Sequence, residues 1–429
     1  MLKKSASKKR LGRKIVSVGA MLALLATMVT FPASADPVSQ PLEGERNIAL
    51  RRAVYHSSAA NINETGHLVT DGIIESLTDF NSCWISEGAG EQSVYIDFGA
   101  KSTVSNVKVY WGENYATQYE IQSSMDAENW TTIAKEQGAA NQMVQTFVKP
   151  QDMNYLRILC EDSSGDNYVI QEVEVYGVND LRYSIGEMPE SEADGTQYLT
   201  GGNWKVQRAS EVLADGVELS QAGYDDSAWL PACVPGTVLA SYLKAGAVPD
   251  PNFDDNQYQV SDSFFTTDFW YRDSFVIPES QEGLRTYLNF DGINWKADVY
   301  FNGHLLPNAI EGREKSIEGA FIRGKFDVTD YVNYGGENYL AVYIYMNDHP
   351  WYRSVGGRPN RLGDPPYEMV SNQSLAGGPS GNGGNLGVDN PTFHAAIGWD
   401  WMPTIRGRDT GIYNDVYLSY SGDVRLDDS

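Results

Sequence analysis

Thirteen residues, IGWDWMPTIRGRD from Ile397 to Asp409, gather aromatic rings and charge into one short run of the 429-residue sequence. Two tryptophans flank one acid, Trp399-Asp400-Trp401, and Arg406, Arg408 and Asp409 follow. In an extended segment Trp399 and Trp401 share one face and Asp400 takes the other. Two chemistries fit that pattern. A sugar could lie against a ring while the carboxylate accepts hydrogen bonds from two adjacent hydroxyls, a charged and therefore strong interaction. Alternatively both rings enter a core and Asp400 pairs with Arg406 or Arg408, a structural arrangement with no ligand.

Other motifs are less telling. The fragment GGPSGNGGN (377–385) is glycine-rich, but no Lys-Ser/Thr and no helix follows it, so it is not a phosphate loop. It lies in a Gly/Pro/Asn-rich stretch, residues 347–392, of a length that inside a domain is usually functional or disordered.

The elements that must position such residues read as strands. VYIDF sets Val94, Ile96 and Phe98 against Tyr95 and Asp97, and VKVYW sets Val107, Val109 and Trp111 on one face. YLRILC and VIQEVEVYG follow with the same period of two. These strands and their Gly, Asn and Asp turns define a β-sandwich over roughly residues 46–178. Residues 179–200 are acidic and poor in core positions, and read as a linker or peripheral wrap. A second β block covers 201–423. It includes a hairpin signal at Asn302-Gly303, the alternation Leu340, Val342, Ile344, Met346, and a closing strand with Ile412, Val416 and Leu418 inward. One helix is expected in TVLASYLKAG, 237–246, with Gly246 as its C-terminal stop. The fold class is all-β, two β-sandwiches in tandem.

Composition narrows the function classes. Residues 1–35 combine a basic start, an apolar run from Ile15 to Phe31 and Ala33-Ser34-Ala35, the order of a secretory signal peptide in Gram-positive style. A secreted, extracellular or cell-surface protein is expected, with no membrane span after cleavage. The signal holds seven of the 32 basic residues and none of the 57 acidic ones, so the net charge deepens from −25 to −32. That field repels phosphate backbones and argues against nucleic acid. Cys83, Cys160 and Cys233 are too few for a disulfide framework; they read as buried thiols, with Cys83 and Cys160 the one pair a bridge could join.

The first block resembles the discoidin, or coagulation-factor type C, domains, whose bacterial members include family 32 carbohydrate-binding modules. The matching pieces are NIAL (from Asn47), Asp71-Gly72, VYIDFG, VSNVKVYW, YEIQSSMDAENWTTI, YLRIL and EVEVYG. The resemblance implies a jelly roll with binding loops at one end and a structural calcium ion beneath them. Carried over, its ligands are Asp71, Ser76 and Glu172, hard oxygens of the kind calcium accepts. The sequence departs from the pattern, with DGIIES in place of D-G-N; without a metal, Asp71 would simply cap its own turn. Trp84 and Trp111 fall on core positions. Asn114, Tyr115 and Tyr168 are the loop candidates for a glycan.

The second block resembles the N-terminal sugar-binding domain of glycoside hydrolase family 2, in the style of its β-mannosidase and exo-β-glucosaminidase branch. VPGTVLASYLKAGAVPDPNFDDN, FWYRDSF, LNFDGINWKADVYFNGHLL, FIRGKFDVTDYV, GENYLAVYIY and IGWDWMPTIRGRDTGIYNDVYL stand in order. The resemblance implies that Trp399, Asp400, Trp401 and Asn256 line the pocket for a terminal β-linked sugar. It also implies a retaining enzyme whose two catalytic glutamates sit on a (β/α)8 barrel. No strand–helix alternation over the roughly 250 residues of a barrel is present, and the Asn63-Glu64 dipeptide lies in the wrong domain to be the acid/base. The chain is thus expected to be the non-catalytic, carbohydrate-binding N-terminal portion of a secreted glycosidase, with residues 424–429 beginning a further domain. A stand-alone secreted lectin, or a cell-surface glycan-binding adhesion protein without hydrolase activity, is the alternative.

Overall fold

A computed structural model describes residues 41–181, 195–199, 201, 203–319, 321–346, 407, 409–422 and 424. The first sandwich contains β1 (Arg46–Asn47), β2 (Ala53–His56), β3 (Trp84–Ile85), β4 (Gln92–Trp111), β5 (Ala116–Ser124), β6 (Thr131–Glu136), β7 (Met143–Ser163) and β8 (Val169–Asn179). Its hydrogen-bonded order is β1-β8-β4-β7-β5-β6, with β2 also on β4 and β3 on β8.

Two long strands make this one sheet fold over on itself. The segments VYIDF and VKVYW, which read as separate strands, are the two halves of β4. The register against β7 slips between Asp97 and Ser102, where Gly99 takes φ +69°. Such an irregularity bends a strand and lets it leave one layer for the other. The first half of β4 pairs with β2 and the later part of β7; its second half pairs with β8 and the earlier part of β7. The alternating residues then meet between layers, where Val94, Ile96, Phe98, Val107, Val109 and Trp111 are buried.

The second sandwich is built from β9 (Gln197–Tyr198), β10 (Lys205–Arg208), β11 (Leu230–Pro231), β12 (Gly236–Thr237), β13 (Phe269–Val276), β14 (Arg285–Phe290) and β15 (Lys296–Phe301). It is completed by β16 (His304–Leu305), β17 (Ile317–Glu318), β18 (Gly324–Asp327), β19 (Glu337–Ile344), β20 (Gly411–Ile412) and β21 (Val416–Ser421). One layer runs β11-β10-β13-β19-β15-β16, with β17 on β15; the other runs β18-β14-β21-β9. Leu340, Val342 and Ile344 from the first layer meet Leu288, Phe290, Val416 and Leu418 from the second in a single core. Asn302 and Gly303, at φ 47° and 84°, turn β15 into β16. Strand β9 falls within the stretch read as linker, yet it is an edge strand paired with β21. Among the described residues, three short helices interrupt the strands: α1 (Gly216–Leu219), α2 (Val238–Lys244) and α3 (Asp262–Phe265). Helix α2 is the one expected. The Thr237 hydroxyl accepts the Ala240 N–H at 3.0 Å, and Gly246 at φ +68° follows its last residues.

The two sandwiches belong to one compact unit, Ser39–Ser429. Their junction is a continuation of the second core rather than a tether. The fully buried 3-10 turn Gly66–Thr70 of the first sandwich sends Leu68 into the second core, and Ile73 and Phe80 pack against it. His67 stacks on Phe265 at 5.7 Å and meets Phe264 edge-on at 4.8 Å. Backbone bonds seal the margin: Ala53 N–H to Gly246 O at 2.8 Å and Asp262 N–H to Ile62 O at 2.9 Å. The Arg52 guanidinium donates to Ala245 O at 2.5 Å.

Candidate functional site

The residues expected to hold calcium lie at this junction. The turn Gly66–Thr70 delivers Asp71, and β8 delivers Glu172 from below; they are 7% and 1% exposed. Asp71 accepts the Ile73 N–H at 2.8 Å and the Ser82 hydroxyl at 2.5 Å, while Glu172 accepts the Gly72 N–H at 3.4 Å. Burial pushes the Asp71 carboxyl up to about 7. Burial, and then the Asp71 charge, push Glu172 well above the usual carboxylate range. Two acids thus share a water-poor space that favours protons, or a cation, over two bare negative charges. Carboxylate and hydroxyl oxygens are a fitting donor set for calcium.

Ser76 is placed differently from the other two. Its hydroxyl donates to Glu211 of the second sandwich at 2.8 Å and sits 3.2 Å from Thr78 Oγ1. The hydroxyl bonded to Asp71 belongs to Ser82. Among the described residues, no group of three or more His, Cys, Asp or Glu side chains could hold a metal ion. A cation here would complete its shell with hydroxyl and carbonyl oxygens.

The second sandwich adds a charge that sequence reading missed. Arg208, at the end of β10, is buried, with its guanidinium 3.7 Å from the Phe80 ring centre and 4.9 Å from that of Phe264. Its positive charge opposes the upward push on Asp71. Its Nε and Nη1 are buried without a hydrogen-bond partner among the described residues. The signal was readable: Arg208 shares the buried face of β10 with Val206, and a charge on an inward face is rarely idle.

The glycan candidates of the first sandwich divide. Tyr168 is a core residue, fully buried with its hydroxyl donating to Ala89 O at 3.0 Å, so its ring offers no face to a sugar. Tyr115 is half-buried, and the Asn114 amide donates to Asn167 Oδ1 at 2.7 Å. Trp84 and Trp111 are buried core rings. Cys83, Cys160 and Cys233 are all buried free thiols, so the Cys83–Cys160 bridge does not form; burial raises the Cys83 thiol to about 12.

In the second sandwich Asn256 is nearly buried, and its amide donates to Asp250 O at 3.0 Å, tying the loop 250–256 to itself. Trp399, Asp400, Trp401, Arg406 and Arg408 lie outside the described residues. The segment leading away from them is well fixed. Asp409 O accepts from the Asn294 amide at 3.0 Å, and Asn294 N–H donates to Gly411 O at 2.9 Å.

Comparison with known proteins agrees with this two-part architecture. Residues 204–414 match the family described as glycosyl hydrolase 2 galactose-binding domain-like, and residues 54–175 match the F5/8 type C domain. A mannosylglycoprotein endo-beta-mannosidase of Lilium longiflorum is 35% identical over 245 residues, 54% of this chain and 22% of that protein. An exo-beta-D-glucosaminidase of Streptomyces avermitilis is 29% identical over 240 residues, 56% of this chain and 21% of that protein. The chain therefore spans about a fifth of the length of these relatives. Among solved structures, a chitosan-binding module of a Paenibacillus sp. IK-5 chitosanase/glucanase is 27% identical with a TM-score of 0.28, covering 31% of this chain and 99% of the module. The exo-chitosanase of Amycolatopsis orientalis is 24% identical with a TM-score of 0.38, covering 53% of this chain and 21% of that one.

Proposed function

We propose that this chain, which carries a glycosyl hydrolase 2 galactose-binding-like domain behind an F5/8 type C domain, is the non-catalytic carbohydrate-binding portion of a secreted, retaining β-glycosidase. The observation that carries the reading is the family match over residues 204–414, supported by 35% identity to a β-mannosidase over much the same length of chain. The relatives named for exo-β-D-glucosaminidase activity point to a β-linked hexose or amino sugar as the substrate class. The charge favours the amino sugar. The acidic chain, net charge −25 with residues 1–35 and more negative without them, raises the local concentration of a polycationic glycan.

In this reading the second sandwich supplies one wall of the pocket for the terminal sugar through Trp399, Asp400, Trp401 and Asn256. The first sandwich binds a second glycan at its loop end, and Asp71 and Glu172 would hold a structural calcium ion. Calcium would supply charge neutralisation there and nothing to the reaction. Asp71 and Glu172 would hold it from two distant chain segments, pinning the loop 71–83 against β8. Ser76, turned to Glu211, would not be a ligand; Ser82 stands nearer the carboxylates.

The test is to assay the purified chain for both properties. Soluble oligomers of β-linked glucosamine or mannose should bind saturably, and aryl β-glycosides should not turn over. Sustained turnover by the pure chain would overturn the non-catalytic reading; absence of binding to either oligomer would overturn the carbohydrate-binding one.

A further inference from the structure

A cleft opens at the junction of the two sandwiches. Its first wall is the segment His56–Ile62 leaving β2, and its second is Asp255, Tyr258 and Gln259 from the second sandwich. The cavity is about 300 Å3. That is the small end of ligand pockets, about 300–1,000 Å3, and suits one or two sugar rings rather than a long chain.

The walls are held at a fixed separation. His56 N–H donates to Gln259 Oε1 at 2.8 Å, and the Gln259 amide returns to His56 O at 3.5 Å. Below, the Ser261 hydroxyl donates to Asn63 O at 2.6 Å, and Asp262 N–H to Ile62 O at 2.9 Å. A cleft whose two sides are tied by hydrogen bonds, over a shared apolar core, is preorganised; binding in it need not order either wall.

The lining chemistry is that of a sugar site with a preference. Tyr258 is 42% exposed on the rim, a ring with a polar tip that suits the apolar face of a pyranose. The Ser57 and Ser58 hydroxyl oxygens line the first wall as acceptors, beside an Asn61 side chain that already accepts the Asn63 N–H at 2.8 Å and donates to the Glu64 carboxylate. Gln92 Oε1 orients the two hydroxyls at 2.5 and 2.6 Å. The Asp255 carboxylate is close enough for its charge to act on the His56 imidazole, which burial keeps neutral at ordinary pH by lowering it to about 4. With the histidine uncharged, the carboxylate is the charged group that faces the cleft among its described lining residues.

We propose that this interdomain cleft is a subsite for a cationic amino sugar. Asp255 pairs with the ammonium, the Tyr258 ring carries the sugar face, and residues of the first sandwich bind its hydroxyls. The proposal rests on the carbohydrate-binding reading above and gives it a geometry. The same short turn, Asn256–Gln259, carries Asn256 together with the cleft residues Tyr258 and Gln259. The first sandwich would then extend the sugar-binding surface of the second instead of acting as a separate anchor.

The test is calorimetric titration of the full chain at pH 6 with the β-1,4-linked glucosamine trimer and, in parallel, the N-acetylglucosamine trimer. Asp255→Asn should remove the preference for the charged trimer, and Tyr258→Ala should weaken its binding at least ~10-fold while Tyr258→Phe retains it. Unchanged melting temperatures would show that all three variants fold. If the wild-type chain binds the glucosamine trimer and neither Asp255→Asn nor Tyr258→Ala alters that binding, the cleft is not the site, though carbohydrate binding stands. If the wild-type chain binds neither these trimers nor β-mannosyl oligomers, both readings fall together.

Discussion

At the scale of single residues, burial sets the behaviour of the ionisable groups at the junction. Asp71 has a folded value of about 7 against an ordinary 3.8. A raised acid favours the folded state while it is protonated. The stability it confers is complete below about 3.8 and is lost as pH rises through about 7. A bound calcium ion would take over from the proton. Chelation should therefore lower the melting temperature clearly at pH 7.5 and little at pH 4, as differential scanning calorimetry would show; equal effects at both values would remove Asp71 and Glu172 from the metal site. His67 has the opposite sign. Burial, then the Arg208 charge, lower it from 6.5 to about 3, so the neutral ring's contribution is present above 6.5 and fades as pH falls toward 3. The melting temperature of His67→Phe should fall less than that of wild type between pH 6.5 and 4. The core roles are simpler. The three thiols should react with a thiol reagent only in denaturant, and a reductant should leave stability unchanged.

At the scale of elements, most strands were legible because one face of each is buried and the period of two survives in sequence. Val94-Ile96-Phe98 and Leu340-Val342-Ile344 are examples. What sequence did not show was that two of those runs are halves of one bent strand, β4. A bend at Gly99 looks like a turn until the partner register is known. Tyr168 differs from its expected loop role for a related reason: it follows a loop, SSGDN, yet its ring points back into the core. Asp71 and Glu172 could be picked out by resemblance and Arg208 by its inward place beside Val206, but Ser82 could not, because its bond to Asp71 depends on tertiary packing. The junction elements carry a prediction of their own. Leu68→Ala removes a fully buried side chain from a core made by both sandwiches. It should destabilise by about 2–5 kcal/mol, the usual range for such a truncation. Denaturant unfolding would measure this; a loss under about 0.5 kcal/mol, typical of surface changes, would mean that the junction is not a true core.

At the scale of the whole molecule, the fused core makes the two sandwiches one folding unit rather than beads on a linker. Interfaces between domains of one chain are commonly polar and modest, which allows them to move. Here Leu68, His67, Ile73 and Phe80 enter the partner's apolar interior. The chain should melt in a single calorimetric transition whose van't Hoff and calorimetric enthalpies agree; two separable transitions would contradict the fused core. Charge acts at this scale as well. Attraction of the acidic surface for a cationic glycan is long-range, and at physiological ionic strength it is screened beyond about 8 Å. Contacts made inside a cleft are screened less. The measurement that tests the central claim most directly is therefore titration of the chain with β-linked glucosamine and mannose oligomers in physiological and in high salt. The account predicts saturable binding that weakens in high salt but persists. Binding that vanishes when the charge is screened, or that never saturates, would contradict a built carbohydrate site and leave only an acidic surface attracting a polycation.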